Sequence, residues 1–428
     1  MLRVNFIREN KDRVLKGLKT RNLGDDHATI IENIIALDET RKSTQTELDN
    51  SLAESNRISK EIGNLFKQGK REEADVLKNK VSEQKGRQKE LSEQLTNAQN
   101  ELETQLLNIP NVPHDSVPPG NTDEDNEVFK AWSDALPEMG DEALPHWELA
   151  KQYNLFDMEL GVKITGSGFP LYRGKGAKLQ RALINFFLDE ADAAGYEEII
   201  PPHLVNEASA RGTGQLPDKE GQMYHAVKDD LYLIPTAEVP ITNMYRDVIL
   251  TEKDFPIKVT GYTPCFRREA GSYGAHVRGL NRVHQFDKVE IVRIEHPDNS
   301  YDVLQEMLKH VESLLEKLEL PYRILRLCGG DLGFTSALTF DFEVYSAAQK
   351  RWLEVSSVSN FETFQTNRLK LRFKDENGKM QLAHSLNGSA LALARIVAAL
   401  LENNQTPEGI VIPEALRPYT KFDIIKTV

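Results

Sequence analysis

Two short segments of this chain carry residue types that can hold phosphate groups. Residues 266–269 read FRRE and residues 282–286 read RVHQF. A planar guanidinium can hold a phosphate through two parallel hydrogen bonds, and a second arginine can stack on a base or hold another phosphate. Apolar segments at 258–266 and 283–294 predict two strands that bring arginine and carboxylate together across a hairpin. The predicted connecting loop, 270–281, is rich in glycine.

The common nucleotide-binding signatures are absent from the sequence. It contains neither G-x-x-x-x-G-K-[ST] nor G-x-G-x-x-G after a predicted strand. If the chain binds ATP, we therefore expect it to do so with arginine side chains on an antiparallel sheet.

Two further segments place a hydroxyl near a carboxylate. Residues 236–238 read TAE after a predicted strand, a pattern that also fits an ordinary helix start. Glu354 and Ser357 are expected at the end of a strand, where their oxygens would suit Mg²⁺. A solvent-facing glutamate fits the second pattern equally, and Glu290, which alternates with apolar residues, fits a cross-strand ion pair.

A run of small residues precedes an arginine near the C-terminal end. Residues 384–395 read HSLNGSALALAR and predict the start of a helix at 389–402. Small residues allow a ligand to approach closely, and a helix N-terminus favours anions. A plain alanine-rich core helix with an exposed Arg395 fits the pattern equally.

The composition is that of an ordinary globular chain of two or three domains. Its 428 residues are 39% hydrophobic and 28% charged, and the net charge is −13. The net charge alone argues against a polyanionic partner. The charge is segregated, however, because residues 111–160 are strongly acidic whereas residues 60–89 are basic.

The two cysteines, Cys265 and Cys328, form no CxxC and fit no zinc pattern. We predict core thiols in a reducing compartment. The N-terminus lacks an apolar segment of signal-peptide length, and no run of about 18 apolar residues occurs. We therefore expect no membrane span and a cytoplasmic location.

Residues 30–108 show the spacing of a two-helix coiled coil. Seam residues recur three and four apart on both sides of Gly69, which predicts a tight turn. The interpretation is an antiparallel hairpin with arms of about 35–40 residues, projecting roughly 55–60 Å. Polar residues in the middle of the seam indicate a flexible arm. A dimerisation coiled coil fits equally on pattern alone, but basic residues towards the turn favour contact with phosphates.

Prolines and a glycine at 110–120 end the helical pattern. We expect an N-terminal domain at 1–109 and a second domain at 110–428. The predicted helices of the second domain lie at 175–194, 300–318 and 389–402. Its predicted strands lie at 196–200, 223–234, 258–266, 283–294, 322–328, 338–345, 352–356 and 369–373. The short connections between strands favour antiparallel pairing, so the order predicts an α+β domain built on an antiparallel sheet.

Taken in order, these segments resemble a known family. The chain is similar over essentially its whole length to the class II aminoacyl-tRNA synthetases, and within them to seryl-tRNA synthetases of bacterial type. Residues 195–202 match the first motif of the class, residues 266–286 the second, and the run ending at Arg395 the third. The helical hairpin, the NIPN segment at 108–111 and residues 236–238 match features specific to the serine enzymes. The resemblance implies a class II catalytic domain preceded by an antiparallel coiled-coil hairpin.

The resemblance also implies roles for individual residues. Arg267 would hold the α-phosphate of ATP with help from Glu269, and Arg395 would hold the γ-phosphate, which makes these three the expected catalytic residues. Glu354 would bind Mg²⁺, assisted by Ser357. Further expected nucleotide-binding residues are Arg268, Val283, Phe286, Val355 and Ser356. The expected serine-binding residues are Thr236, Ala237, Glu238, Glu290 and Ser389.

Three residues depart from the family pattern. Arg268 stands where the family often has a small residue, and Ala390 and Ala394 stand where it commonly has glycine. In a helix, alanine would be favoured over glycine by about 1 kcal/mol at each site. We expect activity to survive these departures.

The implied activity is ATP-dependent ligation of L-serine to tRNA(Ser) through a seryl-adenylate, extended to tRNA(Sec) where present, by a homodimer. Two other readings stay open on the residues. A related ligase that loads a carrier protein would be expected to lack the hairpin. A coiled-coil scaffold with an inactive nucleotide fold would be expected to lack Arg267, Glu354 or Arg395.

Overall fold

A computed structural model describes residues 1–140, 142–218, 220–270 and 277–427. The chain divides into two compact units, one of residues 1–19 and 23–110 and one of residues 20–22 and 111–428. Part of the predicted glycine-rich loop, residues 271–276, lies outside the described residues. No helix among the described residues is long and apolar enough to cross a membrane.

The first unit is helical. Its helices are α1 (Val4–Glu9), α2 (Lys11–Thr20), α3 (Asp25–Lys67) and α4 (Arg71–Leu107). Helices α3 and α4 form the predicted hairpin, and Gly69 provides the turn with a φ of +77°, a conformation that glycine adopts without steric cost. With 43 and 37 residues, the two arms have lengths of about 64 and 55 Å.

Polar seam residues of the hairpin bond to one another. The Gln88 amide donates to the Ser51 carbonyl oxygen at 3.0 Å and to the Ser55 hydroxyl at 2.8 Å. The Ser55 hydroxyl donates in turn to the Gln84 side-chain oxygen at 2.8 Å. These bonds satisfy polar groups that would otherwise lack partners between the helices. The predicted flexibility of the arm stays a prediction.

The second unit is built on one large sheet with helices against it. Its helices are α5 (His146–Tyr153), α6 (Met158–Ile164), α7 (Gly174–Ala193), α8 (Glu207–Thr213), α9 (Glu238–Asn243), α10 (Ser300–Lys317), α11 (Phe364–Leu369), α12 (Leu393–Asn403) and α13 (Arg417–Thr420). The apolar faces of α7, α10 and α12 belong to the main hydrophobic core, as their helical periodicity predicts.

The strands of this unit are mostly short outside the central sheet. They are β1 (Glu127–Lys130), β2 (Phe156–Asp157), β3 (Leu171–Tyr172), β4 (Glu197–Glu198), β5 (Leu204–Asn206), β6 (His225–Ala226), β7 (Leu231–Leu233), β8 (Ile249–Thr251), β9 (Ile257–Phe266), β10 (Gln285–Glu295), β11 (Tyr322–Arg326), β12 (Leu338–Ser346), β13 (Arg351–Asn360), β14 (Arg372–Lys374), β15 (Met380–Leu382), β16 (His384–Ala392), β17 (Gln405–Thr406), β18 (Gly409–Val411) and β19 (Ile424–Ile425).

The central sheet has eight strands in the order β1-β11-β12-β13-β16-β10-β9-β4. Every neighbouring pair is antiparallel except β4 with β9. This confirms the predicted α+β fold on an antiparallel sheet. Both cysteines are buried free thiols, which confirms their prediction as core residues.

The predicted helix at 389–402 is wrong over its first turn. Residues 384–392 form the strand β16, which pairs with both β10 and β13, and the helix begins only at Leu393. Hydrogen bonding on both sides overrides the helical preference of alanine and leucine. The proposed helix-stabilising effect of alanine therefore does not apply to Ala390, which lies in the strand.

Three shorter predictions also need correction. The predicted strand at 223–234 is two strands, β6 and β7, joined by a turn, and much of the predicted strand at 369–373 is the end of α11 and the short strand β14. Glu354 and Ser357 lie within β13 rather than at its end. A turn and a helix end interrupt the first two segments, and pairing with β12 and β16 extends β13 beyond the predicted end. Local propensity does not report such tertiary effects.

Candidate active site

A bulge in β13 brings Glu354 and Ser357 to one face of the sheet. Residues three apart on a regular strand point to opposite faces. Here Asp341 of β12 pairs with Ser357, whereas Glu343 pairs with Glu354. Asp341 and Glu343 are two apart and share a face, and directly paired residues project to the same side. The extra residue in β13 therefore places both predicted Mg²⁺ ligands on the same face.

The same face continues across the two neighbouring strands. Val358 of β13 pairs with Gly388 of β16, so these two residues share a face. Side chains alternate along a strand, so the adjacent residues Ser357 and Ser389 share the opposite face. Ser389 pairs with Glu290 of β10. A row of polar side chains thus crosses four strands, from Asp341 through Ser357 and Ser389 to Glu290.

Asp341 at one end of this row is an acid that the sequence analysis missed. Burial raises the pKa of its carboxyl group well above the ordinary value, and the charge of Glu354 raises it further. One of its side-chain oxygens, Oδ1, is buried without a hydrogen-bond partner among the described residues. The sequence indicated Asp341 only by its place in a strand of alternating apolar residues. That pattern does not show which acids on neighbouring strands face each other.

Arg395 lies beside Glu354. Its Nη1 donates to the Glu354 backbone oxygen at 2.7 Å and lies 3.5 Å from the Glu354 carboxylate. Its Nε donates to the Asn281 carbonyl oxygen at 2.9 Å. The guanidinium is therefore held by strand β13 and by the loop before β10, and its side chain is 27% exposed.

The second arginine site lies at the end of β9 and the start of β10. The Arg267 guanidinium lies over the Phe286 ring, 5.3 Å from its centroid, and donates to the Pro235 carbonyl oxygen at 3.3 Å. Glu269 forms an ion pair with Arg282, which confirms that arginine and carboxylate meet across this hairpin. Arg268 is exposed beside them.

A buried polar cluster occupies the other end of the row. The Lys288 ammonium group bonds the Thr236 hydroxyl at 2.9 Å and forms an ion pair with Glu290. The Thr236 hydroxyl donates to Glu290 at 3.2 Å. Lys288 was not among the predicted site residues, although its two-residue spacing from Glu290 places both on one face of the strand.

Glu238 is a second buried acid in this cluster, but no lysine or arginine pairs with it among the described residues. Its Oε1 accepts a hydrogen bond from Gln365 at 2.6 Å. Burial, followed by the charge of Glu290, raises the pKa of Glu238 to about 7. Hydrogen bonds from the Gln365 and Asn387 side chains act to lower this pKa but do not outweigh burial. The cluster thus holds one paired and one unpaired acid.

Four of the predicted site residues can contribute little through their side chains. Val283, Val355 and Ala237 are buried in apolar clusters, and the Ser356 hydroxyl donates to the Ser389 carbonyl oxygen at 2.6 Å. Any contact these residues make with a ligand would come from the backbone.

The arrangement combines anion-binding and cation-binding chemistry on one face. Two arginines can hold negatively charged groups. The oxygens of Glu354, Ser357 and Asp341 suit a hard cation. No group of three or more His, Cys, Asp or Glu residues within the described ranges is arranged to hold a metal on its own. The unpaired acid Glu238 lacks a cationic partner, which an amino group could supply.

Comparison with known proteins identifies the class that this fold and site define. Residues 223–404 match the model of the tRNA synthetase class II core domain (G, H, P, S and T), and residues 1–113 match that of the seryl-tRNA synthetase N-terminal domain. The catalytic core is therefore that of a class II aminoacyl-tRNA synthetase.

Curated relatives specify the family within this class. A serine–tRNA ligase of Salinibacter ruber is 51% identical over 424 residues, covering 99% of this chain and 98% of that protein. One of Methylacidiphilum infernorum is 46% identical over 99% of this chain and its own full length. The chain belongs to the seryl-tRNA synthetase family, whose members are serine–tRNA ligases.

Solved structures agree with this assignment. A crystal structure of seryl-tRNA synthetase from Pyrococcus horikoshii complexed with ATP matches with a TM-score of 0.91 and 32% identity, covering both chains completely. A cytoplasmic serine–tRNA ligase from Naegleria fowleri in complex with AMP matches with a TM-score of 0.86 and 26% identity, over 100% of this chain and 99% of that one.

The raised pKa of Glu238 predicts a pH-dependent effect of Glu238→Gln on stability. Between the ordinary pKa of 4.5 and about 7, the unfolded chain ionises Glu238 while the folded chain keeps it neutral. The free energy of unfolding therefore falls across this window and is constant above it. Glu238→Gln removes that loss. The free energy of unfolding of the variant minus that of the wild type should therefore be larger at pH 8 than at pH 5, by about 2–3 kcal/mol.

Urea unfolding at both pH values, without substrates, measures this difference. Glu290→Gln is the matched variant, and it should lower stability at pH 8 because Lys288 would lose its buried carboxylate partner. An equal stability difference at pH 5 and pH 8 for Glu238→Gln would show that Glu238 is ionised in the folded protein.

Proposed function

We propose that this protein joins L-serine to tRNA(Ser) in two steps at one site, by way of a seryl-adenylate. The polar row across β12, β13, β16 and β10 supports this proposal most directly. It connects a phosphate-binding end with the buried polar cluster on one face of the sheet. The serine carboxylate attacks the α-phosphorus of ATP, the bond to the β-phosphate oxygen breaks, and pyrophosphate leaves. A ribose hydroxyl of the terminal tRNA adenosine then attacks the seryl carbonyl and releases AMP.

The arginines hold the nucleotide in this proposal. Arg267 holds the α-phosphate with support from Glu269. Phe286, over whose ring Arg267 lies, contacts the adenine. Arg395 holds the γ-phosphate end. No side chain acts as a nucleophile, so the protein accelerates the reaction by positioning the two substrates and by stabilising developing charge.

The residues at Glu354 fit Mg²⁺. Glu354 and Ser357 would hold the ion, and the unpartnered oxygen of Asp341 provides a further hard acceptor beside them. When bound, the ion neutralises phosphate charge. Arg395, in contact with Glu354, keeps the carboxylate oriented towards the triphosphate.

The buried polar cluster recognises serine in this proposal. Glu238 binds the substrate ammonium group, because no lysine or arginine among the described residues pairs with this carboxylate. Glu290, Thr236 and Ser389 surround the small hydroxymethyl group. Lys288 holds Glu290 in place. A site built to bond a hydroxyl rejects alanine, because its buried polar groups would then be left unpaired.

We further propose a cytoplasmic homodimer with an N-terminal tRNA-binding domain at 1–109 and a catalytic domain at 110–428, and tRNA(Sec) as a second substrate where it is present. The hairpin lies across the tRNA and reads the shape of its long extra arm through phosphates and sugars. Sedimentation equilibrium tests the assembly, since an active monomer at assay concentration contradicts it.

Arg267→Ala should reduce serine-dependent ATP–pyrophosphate exchange by at least about 100-fold, because a preorganised donor to the reacting phosphate is lost. Arg267→Lys keeps the charge but not the two-point geometry and should recover only part of the rate. Arg372→Ala, an exposed arginine on the separate strand β14, is the control and should match the wild type. Near-normal exchange by Arg267→Ala contradicts the assigned role.

Deleting residues 31–105 should spare adenylate formation and abolish tRNA charging, because the hairpin contacts tRNA and not ATP or serine. The charge reversals Lys80→Glu and Lys85→Glu, both on exposed residues of α4, test the same idea in the full chain. Exchange should be unchanged, whereas charging should weaken and lose part of its salt dependence. Charging by the deletion variant at the wild-type rate would refute this role.

A further inference from the structure

A buried polar network is connected to Arg395 through Asn281 and Gln349 and is not explained by substrate contact. Its centre is the pair His146–Glu402, whose side chains are both 0% exposed. Glu402 accepts hydrogen bonds from the His146 backbone N–H at 2.9 Å, from His146 Nδ1 at 2.6 Å and from the Gln349 amide at 2.9 Å. The Ser346 hydroxyl also donates to it. No lysine or arginine pairs with this carboxylate among the described residues.

The bonding pattern fixes the tautomer of His146. The Leu280 backbone N–H donates to His146 Nε2 at 2.8 Å, so Nε2 carries a lone pair. Nδ1 therefore carries the proton that is donated to Glu402. A histidine with opposite roles at its two nitrogens connects helix α12 to the segment that precedes β10.

This segment, residues 277–281, is held at several points. The Asn281 side chain donates to Gln349 at 2.8 Å, and Gln349 in turn donates to Glu402. The Arg278 guanidinium lies 4.8 Å from the centre of the Trp147 ring in α5. Gly279, with a φ of +66°, comes so close to His146 that a β-carbon there would lie 2.3 Å from Nε2.

The segment also supplies one of the two backbone carbonyls that hold Arg395, the other being that of Glu354. The Asn281 carbonyl oxygen accepts the hydrogen bond from Arg395 Nε, and Asn281 is the next residue after Leu280, whose backbone N–H donates to His146. Arg395 and Glu402 lie seven residues apart on α12, on the same helix face. The network thus holds the arginine's acceptor from one side while the helix holds the arginine from the other.

We infer that the His146–Glu402 pair is a positioning device for ATP: it fixes residues 277–281 so that the Asn281 carbonyl holds Arg395 in its phosphate-binding orientation. The inference rests on the proposed ATP-binding role of Arg395. His146 and Glu402 are positioning residues, since neither is exposed to a ligand.

The positioning role is tested by comparing His146→Ala, His146→Gln and Gly279→Ala in the full-length protein. In serine-dependent ATP–pyrophosphate exchange, His146→Ala should raise KM for ATP by roughly tenfold, the effect of losing a buried hydrogen bond. KM for serine should stay within about twofold of the wild type. His146→Gln can still accept from the Leu280 N–H and should recover part of the ATP affinity.

Gly279→Ala disturbs the same contact from the loop, because its β-carbon would clash with His146 Nε2. It should raise KM for ATP while both side chains of the buried pair are kept. Its control is Gly378→Ala in the turn between β14 and β15, where φ is +76° and the nearest neighbour is the end of a lysine side chain at 3.8 Å. That control has the same backbone strain without the clash. His310→Gln is the control for replacing a histidine elsewhere in the fold.

Hydrogen exchange of the peptide spanning residues 277–283 gives a second readout that does not depend on activity. His146→Ala and Gly279→Ala should speed exchange in this peptide, and the two controls should not. Equal rises in KM for ATP and serine, or an unchanged KM for ATP in Gly279→Ala, would overturn the inference. A wild-type protein with no serine-dependent exchange would instead refute the proposed function, and the peptide exchange would still decide whether His146 anchors the segment.

Discussion

The constraint on which the site depends is the strict alternation of side chains in a paired sheet. Regular strands would send Glu354 and Ser357 to opposite faces, and the register shift between β12 and β13 corrects this. A second shift, between Lys288 and Glu290 in the pairing of β10 with β16, sets Ser389 opposite Glu290. Bulges re-aim side chains at the expense of local pairing, and here two of them gather oxygen-bearing side chains into one row.

Burial of charge sets the chemistry of this row. At one end Glu290 has Lys288 beside it, whereas Glu238 has only neutral donors and a raised pKa of about 7. A buried acid without a cation favours the arrival of one, so this polar cluster suits a positively charged group such as an ammonium. At the other end, burial and then the charge of Glu354 raise the pKa of Asp341, and a cation would relieve that repulsion.

The buried carboxylate Glu402 shows a different solution to the same problem. Burial acts to raise its pKa, but hydrogen bonds from His146 and Ser346 outweigh burial and lower it. Its stability contribution is therefore present above the ordinary pKa and is lost only as pH falls through the lowered folded-state value. A fixed charge surrounded by donors makes a rigid anchor, which suits a network that holds a backbone segment rather than a ligand.

The sequence alone was sufficient to predict the helical hairpin, one arginine–carboxylate pair and the family. The heptad spacing around Gly69 predicted the hairpin, the apolar segments at 258–266 and 283–294 predicted the arginine–carboxylate pair, and the ordered motifs predicted the family. These features depend on local periodicity and on residue types, which one chain displays directly. Tertiary structure alone decided which acids face one another and where β16 gives way to α12. Asp341, Lys288 and His146 also emerged only there. Strand register, bulges and burial arise from pairing between distant segments, and no local pattern records them.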